Sequence, residues 1–391
     1  MANQNGDALR PAQFTREDTR AIKGLAVVLM LLHHLAAFGD RWPVGFPGFQ
    51  SLWRGFVEQG FITDLAFNAI LCVPVFFFLG GVGLYRRWAA GRYSLTNAIV
   101  TLYKQFWKVF IIFIPIGYLL FCRTGDGINS LCTRWVVGDA KTFLRVLFAN
   151  FTGYDTTLNG EWWFLGSYIC TLPLGYLFCR AIRRHKNVWA DIFLVFVIEI
   201  LTQSVFPDLA NMAALPSLGR SLYFVRFLKL NKYSTAFFMG VVWAKYDLLE
   251  KLKGRLLRVP LRGVACLAGC VAVFICRAYM VSNVLSADLV LVPFFVAFLS
   301  VLFDCVRPLK AGFRFLGGHS TNMWLVHSFY CFYFLEFTLI VYATRSVWID
   351  LLILIALSLA TSIVLDGLYD FLGEMWTRLR GRFVPRKDIA E

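Results

Sequence analysis

Residues 21 to 38 read AIKGLAVVLMLLHHLAAF. The run has the length and apolarity of a membrane-crossing helix, yet it carries Lys23 near its start and His33 and His34 two-thirds of the way along. Crossing about 30 Å of hydrocarbon takes about 20 apolar residues, and ionisable groups placed inside such a segment are rare and functional by default. On a helix turning about 100° per residue, the eleven steps from Lys23 to His34 make about three turns plus 20°. The two side chains therefore share one face, about 16 Å apart along the axis. Arg20 falls near the same stripe, and His33 points about a quarter turn away. A cation thus stands at one end of a groove, with an imidazole, the side chain best suited to moving protons near neutral pH, roughly half-way across. The competing reading is a snorkelling lysine and a packing histidine bonded to a neighbouring helix.

The rest of the chain has the same character. Of 391 residues, 58% are hydrophobic and 17% aromatic, with 39 phenylalanines, and the mean hydropathy is +0.62. A soluble protein could not cover so many apolar runs with polar surface. Ten spans are expected, at about 21–38, 66–85, 106–122, 162–179, 188–206, 234–249, 261–281, 287–304, 323–344 and 347–369. The sixth (AFFMGVVWAKYDLL) is short and ends in charge. The fold class is all-α and polytopic, organised as a short polar N-terminus (1–20), a ten-helix membrane domain (21–372) and a basic tail (373–391).

The first 20 residues lack a signal-peptide hydrophobic region, so insertion is expected to begin with the first span. Placing both termini in the cytoplasm puts 27 of the 39 Lys and Arg on that side, as the positive-inside rule requires. The net charge of +15 is therefore distributed by side of the membrane. No basic block in a polar domain points to nucleic acid. The tail adds retention on the inside and attraction to anionic lipid headgroups.

The ten cysteines lie mostly in spans and show no metal spacing, so no metal is expected. Cys122 and Cys132, in CRTGDGINSLC, could pair if they face an oxidising side. Long non-cytoplasmic loops are expected at 39–65, 123–161 and 207–231, and loops of that length carry function more often than mere connection.

Further polar residues cluster near span ends. VPVFFFLGGVGLYRR (73–87) offers Gly80, Gly81 and Gly83 for close approach and closes with Arg86 and Arg87. YKQFWKVFIIFIP (103–115) sets Lys104 and Lys108 four apart. With Lys23 these cations suit a polyphosphate ligand, although the positive-inside rule alone would place them there. NGEWWFLGSY (159–168) puts Glu161, able to orient a histidine or bind a hydroxyl, before Trp162 and Trp163, which fit an interfacial belt or a sugar-stacking platform. LGGHSTNMWLVHSFY (316–330) adds His319, Ser320, Asn322 and His327, the last lying deeper in its span. Glu199 and Asp366 either neutralise buried cations or mark a transport path. Arg220, Arg226, Lys229 and Lys232 form a basic, aromatic-rich strip suited to an anionic glycan.

With these motifs in view, the chain resembles the acyltransferase-3 family of integral membrane acyltransferases, in particular bacterial members that decorate surface polysaccharides. KGLAVVLMLLHH matches the family's Arg, ten residues, His pattern, with Lys23 in the Arg place and His34 as the His. The likeness continues through VFFFLGGVGLYRR, YKQFWKVFIIFIP, EWWFLGSYI, FFMGVVWAK and LGGHSTNMWLVHSFY, from about residue 20 to 345. Lys23 keeps the charge but lacks the fork of Arg, and Gly80 stands where Ser is common.

The resemblance implies a multi-pass protein of the cell (inner) membrane. It would move an acyl group, commonly acetyl, from cytoplasmic acyl-CoA to a hydroxyl of a surface glycan or its lipid-linked precursor. It makes His34 the base and Lys23 the donor's anchor. With the residues read above, the expected catalytic set is His34, His33, Glu161 and His327, and the expected donor-binding set is Lys23, Arg20, Arg86, Lys104 and Lys108. Acetyl-CoA is the expected co-substrate, and glycan, acyl-CoA and membrane lipid are the expected partners, with homo-oligomerisation left open. Backbone amides near the glycines or Asn68 are the available oxyanion donors. A transporter or flippase for a sugar, polyol or lipid-linked glycan is the main alternative, although no internal repeat supports it. An envelope scaffold is a third.

Overall fold

A computed structural model describes residues 12–50, 59–121, 140–205, 233–280 and 287–383. Cys122, Cys132, Arg220, Arg226, Lys229 and Lys232 lie outside them. Among the described residues there are helices and no strands, as expected for segments whose backbone groups must be satisfied within hydrocarbon.

The helices are α1 (Arg16–Ala36), α2 (Gln59–Asn68), α3 (Cys72–Ala89), α4 (Leu95–Ile116), α5 (Ala140–Phe151), α6 (Trp163–Ala181), α7 (Val188–Ile200), α8 (Ser234–Lys245), α9 (Leu248–Leu256), α10 (Arg262–Met280), α11 (Asp288–Cys305), α12 (Arg307–Ser328), α13 (Leu335–Val341) and α14 (Val347–Phe383). Among the described residues, eight helical segments are long and apolar enough to cross a membrane, with α2 and α3 joined as one. Two of the ten expected spans differ from expectation. The ninth is not one straight helix: α12 runs through a π-helical turn at Phe329–Tyr333 and meets α13 at a bend of 94°. The sixth, α8, is a 12-residue helix, about 18 Å long and too short to span alone.

Two closely packed pairs of parallel helices organise the core. α1 packs most extensively against α12. A Cβ on Gly24 would overlap the Phe313 carbonyl, and one on Gly317 would overlap the Arg20 carbonyl, so both positions admit only glycine at this separation. At the other end of the same pair His34 meets His327, with ring centroids 4.9 Å apart. Each contact is ten residues further along its own helix, so the two helices run in the same direction. α3 and α8 form the second pair, where Gly81 faces Phe237 and Val241 and Gly240 faces Phe78. Of the three glycines singled out in α3, Gly80 and Gly81 are in tight contact, while Gly83 meets nothing.

The first turn of α1 is held by a capping box. Thr15 accepts from the Asp18 amide (3.2 Å), and Asp18 accepts from the Thr15 amide (2.8 Å), leaving fewer orphan N–H groups at the helix start. Asp18 is wholly buried and also pairs with Lys253 (3.1 Å) and Lys310, which in turn meet Asp304 at 2.7 and 2.6 Å. This four-charge cluster ties the start of α1 to α9, α11 and α12 and fixes the direction in which the Lys23–His34 stripe faces.

Candidate active site

Two cavities meet at His34. The inner one, of about 130 Å³, is lined along α1 by Lys23, Met30 and His34, and otherwise by Glu161 and by mostly apolar side chains of α3, α4, α6 and α12, among them the aromatic Phe76, Trp163 and Tyr168. The outer one, of about 280 Å³, is lined by His33, His34, Phe38, Arg41, Glu161, Trp163, Phe332 and Tyr333. His34 and Glu161 belong to both. The spacing 23, 30, 34 is one helical face, so the stripe read from the sequence lines the inner cavity. Mostly apolar and aromatic walls with a few convergent polar groups are usual for a ligand site.

At the junction the His34 side chain is 12% exposed, and its Nδ1 lies 3.4 Å from Glu161 Oε2. The alignment is not that of a hydrogen bond, and Nδ1 is buried without a partner. Nε2 is the nitrogen left on the cavity side. The other Glu161 oxygen, Oε1, accepts from Arg41 Nη1 at 2.8 Å. Arg41 also lies over the rings of Phe38 (4.5 Å) and Phe332 (5.6 Å), an arrangement that favours a flat guanidinium. Glu161 sits in a short 3-10 turn, Gly160–Trp162, opened by Asn159, whose side chain accepts from the Glu161 amide. Asn159 and Ser328 hydrogen-bond each other at 2.8 Å, and the Gly160 amide donates to the Tyr333 hydroxyl at 2.9 Å. The Glu161 turn is thereby fastened to the end of α12, where the π-turn points Phe332 and Tyr333 into the outer cavity. Such turns recur at functional sites because they re-aim side chains.

The four expected catalytic residues therefore converge. His33 Nδ1 faces the Ala66 carbonyl at 2.9 Å, and its ring lies 5.1 Å from that of His34. His327 is wholly buried, with Nδ1 2.6 Å from the Trp324 carbonyl. That bond makes Nδ1 the protonated nitrogen.

The expected donor-binding cations divide. Lys23 lines the inner cavity, and its electrostatic neighbours are Arg87 and Arg20. Arg86, Lys104 and Lys108 stand apart from it. Arg86 donates to the Phe14 carbonyl (2.8 Å) and pairs with Glu250 in a separate cleft with Lys251, Arg255 and Arg258. Lys104 is exposed, and Lys108 lies over the Tyr369 ring at 5.1 Å. Asn68 is also elsewhere: its amide donates to the Asp64 carbonyl (3.1 Å), and its oxygen lies 3.3 Å from Arg277.

Ser320 lines the inner cavity, whereas His319 and Asn322 turn to α14, where Asp366 lies 3.4 Å and 2.9 Å away respectively. Glu199 accepts from Thr235 between α7 and α8. Among the described residues no group of three His, Cys, Asp or Glu side chains forms a metal site.

Sequence reasoning missed Arg41, Asn159 and Ser328, and named Arg87 beside Arg86 without carrying it into the donor-binding set. Arg41 had a signal, as one of two cations, with Arg54, in the 39–65 loop expected on the poorly charged side, and it lies seven residues beyond His34. Arg87 was adjacent to the residue chosen, and a one-residue change on a helix is about 100°.

A histidine–carboxylate pair lining two cavities can move a proton to or from a group bound beside it. The chain belongs to the acyltransferase-3 family: the model of that family's acyltransferase domain matches residues 18–367. No match was found among curated proteins or among solved structures. The protein is thus a membrane acyltransferase, and the matched region contains both cavities.

Proposed function

We propose that the protein is an O-acyltransferase of the cell (inner) membrane. It takes an acetyl group from cytoplasmic acetyl-CoA and delivers it to a hydroxyl of a cell-surface glycan or its lipid-linked precursor. The observation that carries this reading is the sharing of His34 and Glu161 by the two cavities, one reaching Lys23 and the other reaching Arg41. By the distribution of basic residues, the Lys23 end faces the cytoplasm. The phosphates of the donor would rest on Lys23, Arg20 and Arg87, with the thioester arm running along the apolar cavity for the ~16 Å between Lys23 and His34. The acceptor would enter beside Phe38, Trp163 and Phe332, whose faces suit a sugar ring.

His34 Nε2 takes the proton from the acceptor hydroxyl as its oxygen bonds to the acyl carbon. The carbon–sulfur bond then breaks, and the proton passes to the leaving thiolate. Glu161 supports the imidazolium through Nδ1. The test is transfer of radiolabel from acetyl-CoA to membrane glycan. His34→Ala is expected to abolish it and Glu161→Gln to lower it about a hundredfold, the low end of a general base's contribution. Normal transfer by a folded His34→Ala protein refutes the reading.

A further inference from the structure

In this geometry Glu161 is committed to the wrong partner for catalysis. A carboxylate that supports a histidine base accepts a hydrogen bond from one ring nitrogen and leaves the other free for the substrate. Here Oε1 is bonded to Arg41 at 2.8 Å. Oε2 is 3.4 Å from His34 Nδ1 and out of alignment, and Nδ1 is a buried polar atom with no partner. Such an atom is costly and calls for an explanation. Arg41 is the part that can move: its side chain is 40% exposed against 9% for Glu161, and it borders the outer cavity.

We propose that Arg41 is a positioning residue that withholds Glu161 from His34 until an anionic group on the acceptor, a carboxylate or a phosphate, takes the carboxylate's place on the guanidinium. This rests on the acyl-transfer reading above and adds the acceptor's charge. Arginine binds carboxylate and phosphate with the same fork geometry, so the exchange replaces one charge-assisted pair by another. Glu161 then closes on Nδ1–H, and Nε2 becomes a competent base only when the acceptor is in place. The exchange protects the donor. The outer cavity has room for water, and a base already set would take a proton from water as its oxygen bonded to the acyl carbon. Cleavage of the carbon–sulfur bond would then give free acid and CoA thiol, with no acceptor modified.

The experiment uses the full-length protein in liposomes, with acetyl-CoA as the donor and release of free thiol as the readout. Without acceptor, Arg41→Gln is expected to release thiol about tenfold faster than wild type, a modest part of the ~100- to 10,000-fold a general base contributes. Its transfer to glycan should fall, and Arg41→Lys, which keeps the charge, should hold release near the wild-type rate. A merely structural role would move release and transfer in the same direction. In unaltered protein, glucuronate or glucose 1-phosphate should raise thiol release above equimolar glucose. The first arm reads a carboxylate on the sugar and the second a phosphate at its linkage. Arg41→Gln release at or below the wild-type rate, or equal responses to glucose and both anions, overturns the proposal. His34→Ala, assayed with acceptor glycan present, separates the two failures: if thiol release in the presence of acceptor does not depend on His34, the acyl-transfer reading falls with the proposal; if it does, the proposal alone falls.

Discussion

Replacing Asp18 by Asn tests how the site is held in place. Asp18 is wholly buried, and the side chains of its partners Lys253 and Lys310 are 5% and 18% exposed. Asp304, the second carboxylate of the cluster, is 31% exposed. Two carboxylates face two ammonium groups, so the cluster is neutral, and removing either acid leaves one net positive charge. The burial differs, and burial sets the size of the effect. Breaking a buried pair by deleting one partner costs about 3–5 kcal/mol, whereas a partly exposed pair is worth about 1 kcal/mol or less. With an unfolding entropy of about 2.1 cal/mol/K per residue over 391 residues, Asp18→Asn is expected to lower Tm by about 4–6 °C and Asp304→Asn by about 1 °C. The assay is thermal unfolding in detergent followed by tryptophan fluorescence, with the same pair of variants in the transfer assay. Salt should not restore Asp18→Asn, because buried charges are weakly screened. Equal shifts for the two variants, or a shift below about 1 °C for Asp18→Asn, would show that the cluster is not a buried anchor.

Two further expectations concern the donor end and the helix pairing. Lys23→Gln should raise the KM for acetyl-CoA about tenfold, the effect of losing one charge-assisted contact of about 1.4 kcal/mol. Lys104→Gln should leave it within about twofold, since exposed charges contribute little; steady-state kinetics over a donor series decides. Gly317→Ala should abolish a monodisperse peak in size-exclusion chromatography, because its Cβ would strike the Arg20 backbone. The neighbouring Gly318→Ala meets nothing and should stabilise by about 0.4–1 kcal/mol through the unfolded chain; a Gly317→Ala protein eluting normally would refute the close packing of α1 on α12.

Most of the fold was legible because hydrophobic length is a one-dimensional signal. The departures came where tertiary structure overrides it. The ninth apolar stretch is as apolar as a straight helix needs, yet it breaks at Phe334, whose ring stacks on those of Phe113 and Phe121. The Lys23–His34 register was legible because both residues share one helix and its pitch is fixed. Glu161 and His327 could be grouped with His34 as candidates, but no spacing in the sequence says that residues 34, 161 and 327 meet. The cations could not be told apart for a related reason. Arg86, Arg87, Lys104 and Lys108 all satisfy the same rule about membrane sides, and only the orientation of α3 and α4 separates them.

The parallel docking of α1 on α12 has a consequence for synthesis. Asp18 and Lys310 are 292 positions apart, which at about 5–20 residues per second separates their emergence from the ribosome by about 15–60 s. Throughout that interval α1 holds Asp18 and His34 with Lys310 and His327 still unmade. Its residence in lipid depends on whatever shelters nascent segments at the site of insertion, so slowed translation late in the message would be felt first by the N-terminal helix.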